Sequence, residues 1–394
     1  MIEMENLIAL GQKYVMNTYN RQSKVFVKGQ GSYVWDSEGN KYLDFVGGIA
    51  VNALGHCPEV VQKALHEQAA KLIHCSNLYW IEPQIKLAQK LAEASSCDKV
   101  FFCNSGAEAN EAAIKLARKW GKGRFEIITM EKSFHGRTLG ALTATGQEKY
   151  RKDFEPLPGG FKYVPYNDLQ ALVDAIDHHT CAVMLEPIQG EGGVNVPDAN
   201  YLKGVEEACR LNNLLLIVDE VQTGIGRTGK AFGYQNFGLE PDIITLAKGL
   251  GGGVPIGAML AKEAVAQAFV PGDHASTFGG NPLATAVALA VIEKVFTEEF
   301  LVSVLEKGEY FKEQLNQLKT NYPIIKKVKG LGLMVGCELD VENGSAIVQY
   351  AIEHGVLINI VGNKTLRFVP PLTTSKDEID QVIGILAQAF EEVG

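Results

Sequence analysis

Short apolar runs that end at a charged residue recur through the middle of this chain. Three such runs are Ala182-Val183-Met184-Leu185 before Glu186, Leu214-Leu215-Leu216-Ile217-Val218 before Asp219, and Ile243-Ile244-Thr245-Leu246-Ala247 before Lys248. Runs of this length with turn residues after them are typical of buried strands in a parallel sheet. Because ligands bind beyond the carboxyl ends of such strands, we expect one amine and two carboxylates to meet in a single crevice.

The same pattern extends over much of the chain. From Lys99 to about Leu283, strand-like runs alternate with amphipathic helices, which predicts a large α/β domain with a mainly parallel central sheet. Residues 25–46 alternate apolar and polar positions around turns, as a small antiparallel meander does. After a long helical stretch, strands are predicted near Gly332–Leu339 and Thr365–Val369. A last helix is predicted at Ser375-Lys376-Asp377-Glu378, which has capping-box spacing.

These elements divide the chain into three predicted parts. Residues 1–60 form an N-terminal segment that packs with the small domain, residues 61–283 form the large domain, and residues 284–394 form a smaller α+β domain. No internal repeat or low-complexity linker interrupts this order.

Composition and charge narrow the possible partners. The 394 residues are 46% hydrophobic and 21% charged, an ordinary globular composition, and the net charge of -9 argues against a general nucleic-acid or anionic-membrane partner. The acidic start and the absence of a long apolar run predict a cytoplasmic protein. The seven cysteines include no C-x-x-C pair, and the histidines include no H-x-x-x-H pair, so we predict neither a disulfide framework nor a metal site.

A candidate anion site lies where the strand Lys99–Cys103 runs into a sequence rich in helix formers. Ser105 and Glu108 have capping-box spacing, so the helix is expected to begin here and to direct its free N–H groups at a ligand. Gly106 would let a phosphate approach the backbone closely. No lysine follows as in a nucleoside triphosphate loop. Every capped strand-to-helix turn shares these features, so an ordinary turn is the alternative interpretation.

The residues after the other strands have the chemistry of a pyridoxal phosphate site. Lys248, followed by a Gly-rich loop, would carry the cofactor as a Schiff base and act as the general base once substrate displaces it. Asp219 would hold a proton on the pyridine nitrogen, so that the ring can accept electrons from the substrate. Gln222 is placed to reach the ring hydroxyl, and Phe134 to stack on the ring. The alternatives are a lysine packed along its stem and a phenylalanine of the core.

Two arginines are candidates for binding substrate carboxylates. Guanidinium groups such as those of Arg137 and Arg367 bind a carboxylate through two parallel hydrogen bonds. Glu191, which lies among three glycines in the segment Gln189–Gly193, would neutralise one arginine when no second carboxylate is bound. Ordinary surface exposure is the alternative for either arginine.

A rival interpretation starts from Gly224-Ile225-Gly226-Arg227-Thr228-Gly229, which fits the G-x-G-x-x-G pattern of nicotinamide-dependent oxidoreductases. That fingerprint requires a helix to open at the glycines. The following stretch, Lys230 to Asp242, contains Gly233, Gly238 and Pro241, which leave little room for a helix. A second rival is a catalytically silent member of the fold, but such a protein would be expected to lack the lysine or the aspartate.

Six motifs in this order resemble those of the class III aminotransferases and span essentially the whole chain. They are Asn104–Asn110, Phe134–Arg137, Leu185–Gly193, Asp219–Gly224, Thr245–Gly249 and Ser276–Pro282. The resemblance implies fold type I, pyridoxal 5'-phosphate as cofactor, and a homodimer with its active site at the subunit interface. It implies transfer of the distal amino group of N2-acetylornithine to 2-oxoglutarate in arginine biosynthesis. Ornithine, succinylornithine and 4-aminobutyrate are the alternative donors.

The resemblance also assigns roles to residues. The cofactor contacts that it implies are Lys248, Asp219, Phe134, Val221, Gln222, Gly106, Ala107 and, from the neighbouring subunit, Thr277. Ser276 would lie against the substrate. Arg137 would bind the α-carboxylate of the donor, with Tyr19 beside it, so that the distal amine meets the cofactor. Arg367 would bind the α-carboxylate of 2-oxoglutarate, and Glu191 would mask Arg367 otherwise.

Overall fold

The computed structural model describes residues 4–393 of the chain. Its strands are β1 (Phe26–Gln30), β2 (Tyr33–Asp36), β3 (Lys41–Asp44), β4 (Lys99–Cys103), β5 (Glu126–Met130), β6 (Phe161–Val164), β7 (Thr180–Leu185), β8 (Leu215–Asp219), β9 (Ile243–Leu246), β10 (Gly257–Ala261), β11 (Ile325–Leu331), β12 (Met334–Leu339), β13 (Val356–Leu357), β14 (Asn359–Val361) and β15 (Thr365–Phe368).

Helices cover the sheets and connect the strands. They are α1 (Met4–Tyr14), α2 (Gly47–Ala50), α3 (Glu59–Ala69), α4 (Glu82–Ala94), α5 (Gly106–Trp120), α6 (Leu139–Ala144), α7 (Glu148–Arg151), α8 (Leu169–Ala175), α9 (Ala199–Leu211), α10 (Glu263–Ala266), α11 (Pro282–Val295), α12 (Glu298–Asn321), α13 (Ser345–Glu353) and α14 (Lys376–Val393). Two short 3-10 helices lie at Gly233–Phe237 and Lys248–Gly251. No helix within residues 4–393 is long and apolar enough to cross a membrane, and the cytoplasmic location stays a prediction.

A seven-stranded sheet with the order β4-β10-β9-β8-β7-β5-β6 forms the centre of the fold. Its strands are parallel except β10, which is antiparallel to both β4 and β9. The mainly parallel central sheet predicted from the sequence is therefore confirmed. Because β7, β8 and β9 are adjacent and parallel, the residues at their carboxyl ends lie along one edge of the sheet.

Both faces of this sheet are buried, which explains why its strands are almost uniformly apolar. Along β7, Ala182 and Met184 pack against α5, whereas Val183 and Leu185 belong to the core on the opposite face. The buried face of α5 is rich in alanine, including Ala112 and Ala113, and small side chains let a helix approach a sheet closely. The position of α5 matters for the site because its amino terminus follows directly from β4.

Two four-stranded sheets lie outside the central sheet. One has the order β1-β2-β3-β13, so the predicted N-terminal meander is confirmed and is joined by a strand from the C-terminal part. The other has the order β11-β12-β15-β14. Leu43 and Phe45 share a core with Phe311 and Phe368, and the rings of Phe45 and Phe311 pack edge to face at 5.7 Å.

The predicted domain limits at residues 60 and 283 stay predictions. Helix α11 begins at Pro282 and packs against α3 and α4, and its Val287 and Val291 lie in the core of the central sheet. At the other end of the chain, the predicted capping box is confirmed. Ser375 Oγ accepts from Glu378 N (3.1 Å), and Ser375 N donates to Glu378 Oε2 (2.9 Å).

Candidate active site

Asp219 is the last residue of β8, and its carboxylate is buried and bound by donors on both oxygens. Oδ1 accepts from Val221 N (2.9 Å), and Oδ2 accepts from Asn110 Nδ2 (2.8 Å). His135 Nδ1 lies 2.7 Å from the same Oδ2, so Nδ1 carries the proton that this carboxylate accepts. The other ring nitrogen of His135 is buried and has no hydrogen-bond partner among residues 4–393. Asp219 is thus fixed in one orientation at the edge of the sheet.

The bonds to Asp219 continue into a network that the sequence analysis missed. Asn110 Nδ2 also donates to the carbonyl of His135 (2.6 Å), and Thr245 Oγ1 donates to Asn110 Oδ1 (2.7 Å). Asn110 lies one helical turn after Gly106 on a buried face whose other residues are all apolar. A polar residue on such a face was the available signal, because a buried amide needs hydrogen-bond partners.

Glu186 lies just after β7 and is buried, as the pattern of strand ends predicted. Its Oε2 accepts from Phe134 N (3.1 Å), and its Oε1 accepts from Gly190 N (3.2 Å). Burial raises the pKa of Glu186 to about 7, with a further increase from Asp219 and an opposing decrease from His135. Glu186 therefore joins the loop that carries Phe134 to the loop that carries Glu191.

Lys248 follows β9 and has a left-handed backbone with φ of 46°. Burial lowers the pKa of its amine, while Glu191 and Asp219 oppose that change and Arg367 reinforces it. The amine of Lys248 therefore interacts electrostatically with Glu191, Arg367 and Asp219. A lysine with a lowered pKa has a larger neutral fraction, which is the form that acts as a nucleophile.

Arg367, on β15, is buried and forms an ion pair with Glu191. Its Nη1 also lies 3.4 Å from Gln222 Oε1, and its Nη2 donates to Asn359 Oδ1 (2.8 Å). Burial alone would raise the pKa of Glu191, but the guanidinium of Arg367 lowers it below its ordinary value. The structure therefore brings Arg367, Glu191 and Gln222 together, and Glu191 satisfies the arginine in the absence of another carboxylate.

The amino terminus of α5 has the predicted cap. Ser105 Oγ accepts from Glu108 N (3.2 Å), whereas Glu108 Oε2 accepts from Asn104 N (2.5 Å), one residue earlier than an ideal capping box. Helix geometry leaves the N–H groups of Gly106 and Ala107 without an acceptor inside the helix. A Cβ on Gly106 would lie 2.8 Å from Val221 Cγ1, so glycine is needed for this close contact.

The aromatic group of the site lies on the loop before α6. The ring of Phe134 packs edge to face against Tyr150 with centroids 5.9 Å apart. Arg137 is exposed, and its guanidinium carbon lies 3.9 Å from the centroid of Tyr150 and 5.5 Å from that of Phe134. Cation–π contacts of this kind orient Arg137 without occupying its hydrogen-bond donors.

Other predicted residues lie farther out in the single chain. Ser276 Oγ accepts from Asn104 Nδ2 (3.1 Å), which places the Ser276 loop beside the start of α5. Thr277 is exposed on that loop, and Tyr19 is 71% exposed with its ring 5.2 Å from the guanidinium of Arg21. Within the part of the chain that the structure describes, the side chains of Thr277 and Tyr19 form no hydrogen bond to the buried residues Asp219, Glu186 and Arg367.

Comparison with known proteins identifies the family. The model of the family "Aminotransferase class-III" matches residues 15–390. The chain belongs to the class-III aminotransferases. An acetylornithine aminotransferase from Caldanaerobacter subterraneus subsp. tengcongensis is 58% identical over 392 residues, which cover 98% of this chain and 100% of the relative.

Solved structures of other aminotransferases share the whole fold. An ornithine aminotransferase from Toxoplasma gondii matches with a TM-score of 0.95 and 35% identity, covering 100% of this chain and 96% of its own. An N-acetylornithine aminotransferase from Stenotrophomonas maltophilia matches with a TM-score of 0.85 and 38% identity, covering 98% of each chain. The class-III aminotransferase fold and its dependence on pyridoxal phosphate follow for this chain as well.

The residues of this class-III aminotransferase fit the phosphate, the ring nitrogen and the aldehyde of pyridoxal phosphate. The α5 amino terminus, with Gly106 packed on Val221, suits a phosphate. Asp219 is a buried carboxylate suited to a protonated ring nitrogen, and Lys248 has an amine of lowered pKa that would suit the aldehyde. The nicotinamide alternative fails, because the segment after Gly229 forms only a 3-10 helix at Gly233–Phe237, with no α-helix opening at the glycines.

Proposed function

We propose that this aminotransferase moves the distal amino group of N2-acetylornithine to 2-oxoglutarate, giving N-acetylglutamate 5-semialdehyde and glutamate. The observation that carries the proposal is the pair of arginines in different surroundings. Arg367 is buried and held by Glu191, whereas Arg137 is exposed and has no ion-pair partner among residues 4–393. A donor with one carboxylate and an acceptor with two carboxylates need such a divided site.

In the first half-reaction, Arg137 binds the α-carboxylate of the donor, with Tyr19 at its side. Glu191 stays on Arg367, so the site offers only one free guanidinium, and the distal amine faces Lys248. The acetyl group removes the charge of the α-amine, which leaves the distal amine as the reacting group. Ser276, on the loop next to Asn104, lies against the substrate.

Pyridoxal phosphate, when bound, supplies an aldehyde carbon and a ring that withdraws electrons from the carbon being deprotonated. Lys248 would hold the cofactor covalently and, once the substrate amine had displaced it, would remove and return the proton. Asp219 would keep the ring nitrogen protonated, and Asn110 and His135 hold Asp219 in place for that role. Gln222, Val221 and Phe134 would contact the ring, and Gly106 and Ala107 would bind the phosphate.

In the second half-reaction, 2-oxoglutarate brings two carboxylates. Its α-carboxylate displaces Glu191 from Arg367, and the exchange of one carboxylate for another keeps the buried guanidinium neutralised throughout. Its distal carboxylate binds Arg137. The same active site therefore accepts both substrates without burying an unpaired charge at Arg367.

The site is proposed to be completed in a homodimer, in which Thr277 binds the phosphate of the neighbouring subunit. Large apolar side chains near the loop that carries Thr277 support a homodimer, because they are exposed in the single chain and a partner subunit would cover them. Leu78 and Trp80 are 84% and 90% exposed, and Phe278, next to Thr277, is 63% exposed. Asn77 joins the two segments through bonds to the carbonyls of Ser276 (3.1 Å) and Gly279 (2.8 Å).

The donor is tested by comparing kcat/KM for acetylornithine, succinylornithine, ornithine and 4-aminobutyrate, each with 2-oxoglutarate as acceptor. Donor preference is a difference in transition-state binding, so this ratio is the decisive quantity. We expect acetylornithine to exceed ornithine and 4-aminobutyrate by at least about tenfold. A higher value for ornithine, the donor named for the Toxoplasma relative, would overturn the proposal.

A further inference from the structure

The glycine-rich segment Gly224–Gly229 contains a buried arginine that the proposed reaction does not use. Arg227 is only 2% exposed, and its Nη1 donates to the carbonyls of Leu333 (2.9 Å) and Pro370 (2.6 Å). No carboxylate within residues 4–393 forms an ion pair with it. Burial lowers its pKa to about 9. A buried cation held by carbonyls alone is a costly feature.

The two carbonyls lie at the ends of paired strands. Leu333 immediately precedes β12, and Pro370 comes two residues after β15. These strands are antiparallel, with Gly336 opposite Arg367 and Val335 opposite Phe368. One guanidinium nitrogen therefore holds both strands together three residues from Arg367.

The backbone of Arg227 adds a third bond to the same place. Leu333 N donates to the carbonyl of Arg227 (3.0 Å). A Cβ on Gly332 would lie 2.6 Å from that carbonyl oxygen, and one on Gly226, where φ is 80°, would lie 2.5 Å from Val295 Cγ1. Gly332, in the turn before β12, thus permits close packing on the backbone of Arg227, and Gly226 permits close packing on α11, which is a different use from binding a pyrophosphate.

The residues just before the segment Gly224–Gly229 belong to the active site. Asp219 and Gln222 lie five to eight residues before Arg227, and Gln222 Oε1 is 3.4 Å from Arg367 Nη1. Gly224 N donates to the carbonyl of Glu220 (2.9 Å), and Arg227 N to that of Gly224 (3.3 Å), so the intervening backbone is a series of tight turns. Residues 219–229 therefore contact the strand of Arg367 at two points.

We propose that Arg227 is a positioning residue that sets the place of Arg367 relative to the cofactor side of the site. By fixing the β12 and β15 ends against residues 219–229, it holds the guanidinium of Arg367 where a 2-oxo acid carboxylate must bind. The inference rests on the proposed function, since it uses the assignment of Arg367 to the acceptor. Its effect is confined to the acceptor half-reaction, because Glu191 occupies Arg367 during the donor half-reaction.

The test uses Arg227→Met holoenzyme and measures each half-reaction in single turnover, together with the Kd of glutarate, a five-carbon dicarboxylate that cannot react. We expect kcat/KM for 2-oxoglutarate to fall at least about tenfold through KM, with the donor half-reaction changed less than about threefold. The glutarate Kd should rise by a similar factor. Arg227→Lys, which keeps a cation but reaches fewer carbonyls, should show a smaller loss of the same kind and is the reference if the methionine variant does not fold.

A double-mutant cycle with Arg367→Lys separates this role from general structural damage. If Arg227 acts through Arg367, the combined loss in glutarate affinity will be smaller than the product of the single losses. Equal losses in both half-reactions, or losses that multiply fully, would overturn the positioning role. If Arg367→Lys itself leaves glutarate affinity unchanged, the proposed function of Arg367 fails and the positioning role fails with it. If only Arg227→Met is without effect, the positioning role alone is wrong.

Discussion

Replacing Asp219 with asparagine preserves the size of the side chain and removes its charge, so it tests the electronic role of this residue. In the parent, both donors on Oδ2, from Asn110 and His135, and the donor on Oδ1, from Val221 N, point at acceptor oxygens. An amide offers one oxygen only. In either orientation, its NH2 group faces another N–H donor.

Two losses follow from this geometry. A charge-assisted hydrogen bond to a protonated ring contributes roughly 1.5 to 3 kcal/mol, which corresponds to about one to two powers of ten in rate. The mismatched buried donors cost roughly 1 to 3 kcal/mol more, and that cost lowers the free energy of unfolding and disturbs the orientation of Asn110 and His135. We therefore expect each half-reaction to slow by about two orders of magnitude, with a smaller loss of cofactor affinity.

The assay is the single-turnover rate of each half-reaction at saturating cofactor, with the melting temperature measured in parallel. Asp242→Asn is the matched control, because Asp242 precedes β9 at the opposite edge of the same sheet. Its carboxylate accepts from Leu216 N (2.9 Å) and Lys262 Nζ (3.0 Å). The control should lose stability but keep its rates per folded, cofactor-loaded site. Near-parent rates for Asp219→Asn would refute the reasoning.

Two further predictions concern substrate binding and pH. Arg137→Leu removes the exposed guanidinium beside Tyr150, so the donor KM should rise at least about tenfold in steady-state assays, whereas an effect limited to the oxo acid would contradict its donor role. Burial raises the pKa of Glu220 to about 7, above the value of about 4.3 in an unfolded chain, so its stabilising contribution is full below about pH 4 and is lost as pH rises through 7. In denaturant titrations of cofactor-free protein, Glu220→Gln should therefore show a weaker decline in unfolding free energy between about pH 5 and 8, by up to about 3 kcal/mol, and an unchanged pH slope would contradict the assignment.

Features with a local cause could be predicted from the sequence. The three apolar runs predicted that Glu186, Asp219 and Lys248 lie at one edge of the sheet, because adjacent parallel strands place their carboxyl ends together. The starts of α5 and α14 followed from serine and glutamate three residues apart, since the cap is built within four residues.

Features that depend on distant contacts could not be predicted in this way. Asn110 meets Asp219 across 109 positions in the sequence, and Arg227 meets Pro370 across 143, so no local pattern records either bond. The place of Thr277 is a related case, because Thr277 is exposed in one chain and its predicted role is at the phosphate of a neighbouring subunit. Strand β11 was also missed, because four of its seven residues are lysine or glycine.

The claim that Lys248 holds the cofactor covalently is tested most directly by borohydride reduction of the loaded enzyme, followed by mass analysis of its peptides. Lys248 follows β9, next to the strand that ends at Asp219, and burial lowers the pKa of its amine. We expect the mass of reduced pyridoxal phosphate on the peptide that contains Lys248, and no such mass at the site in Lys248→Ala. An adduct on a different lysine, or no adduct in a pyridoxal-loaded parent, would contradict the account.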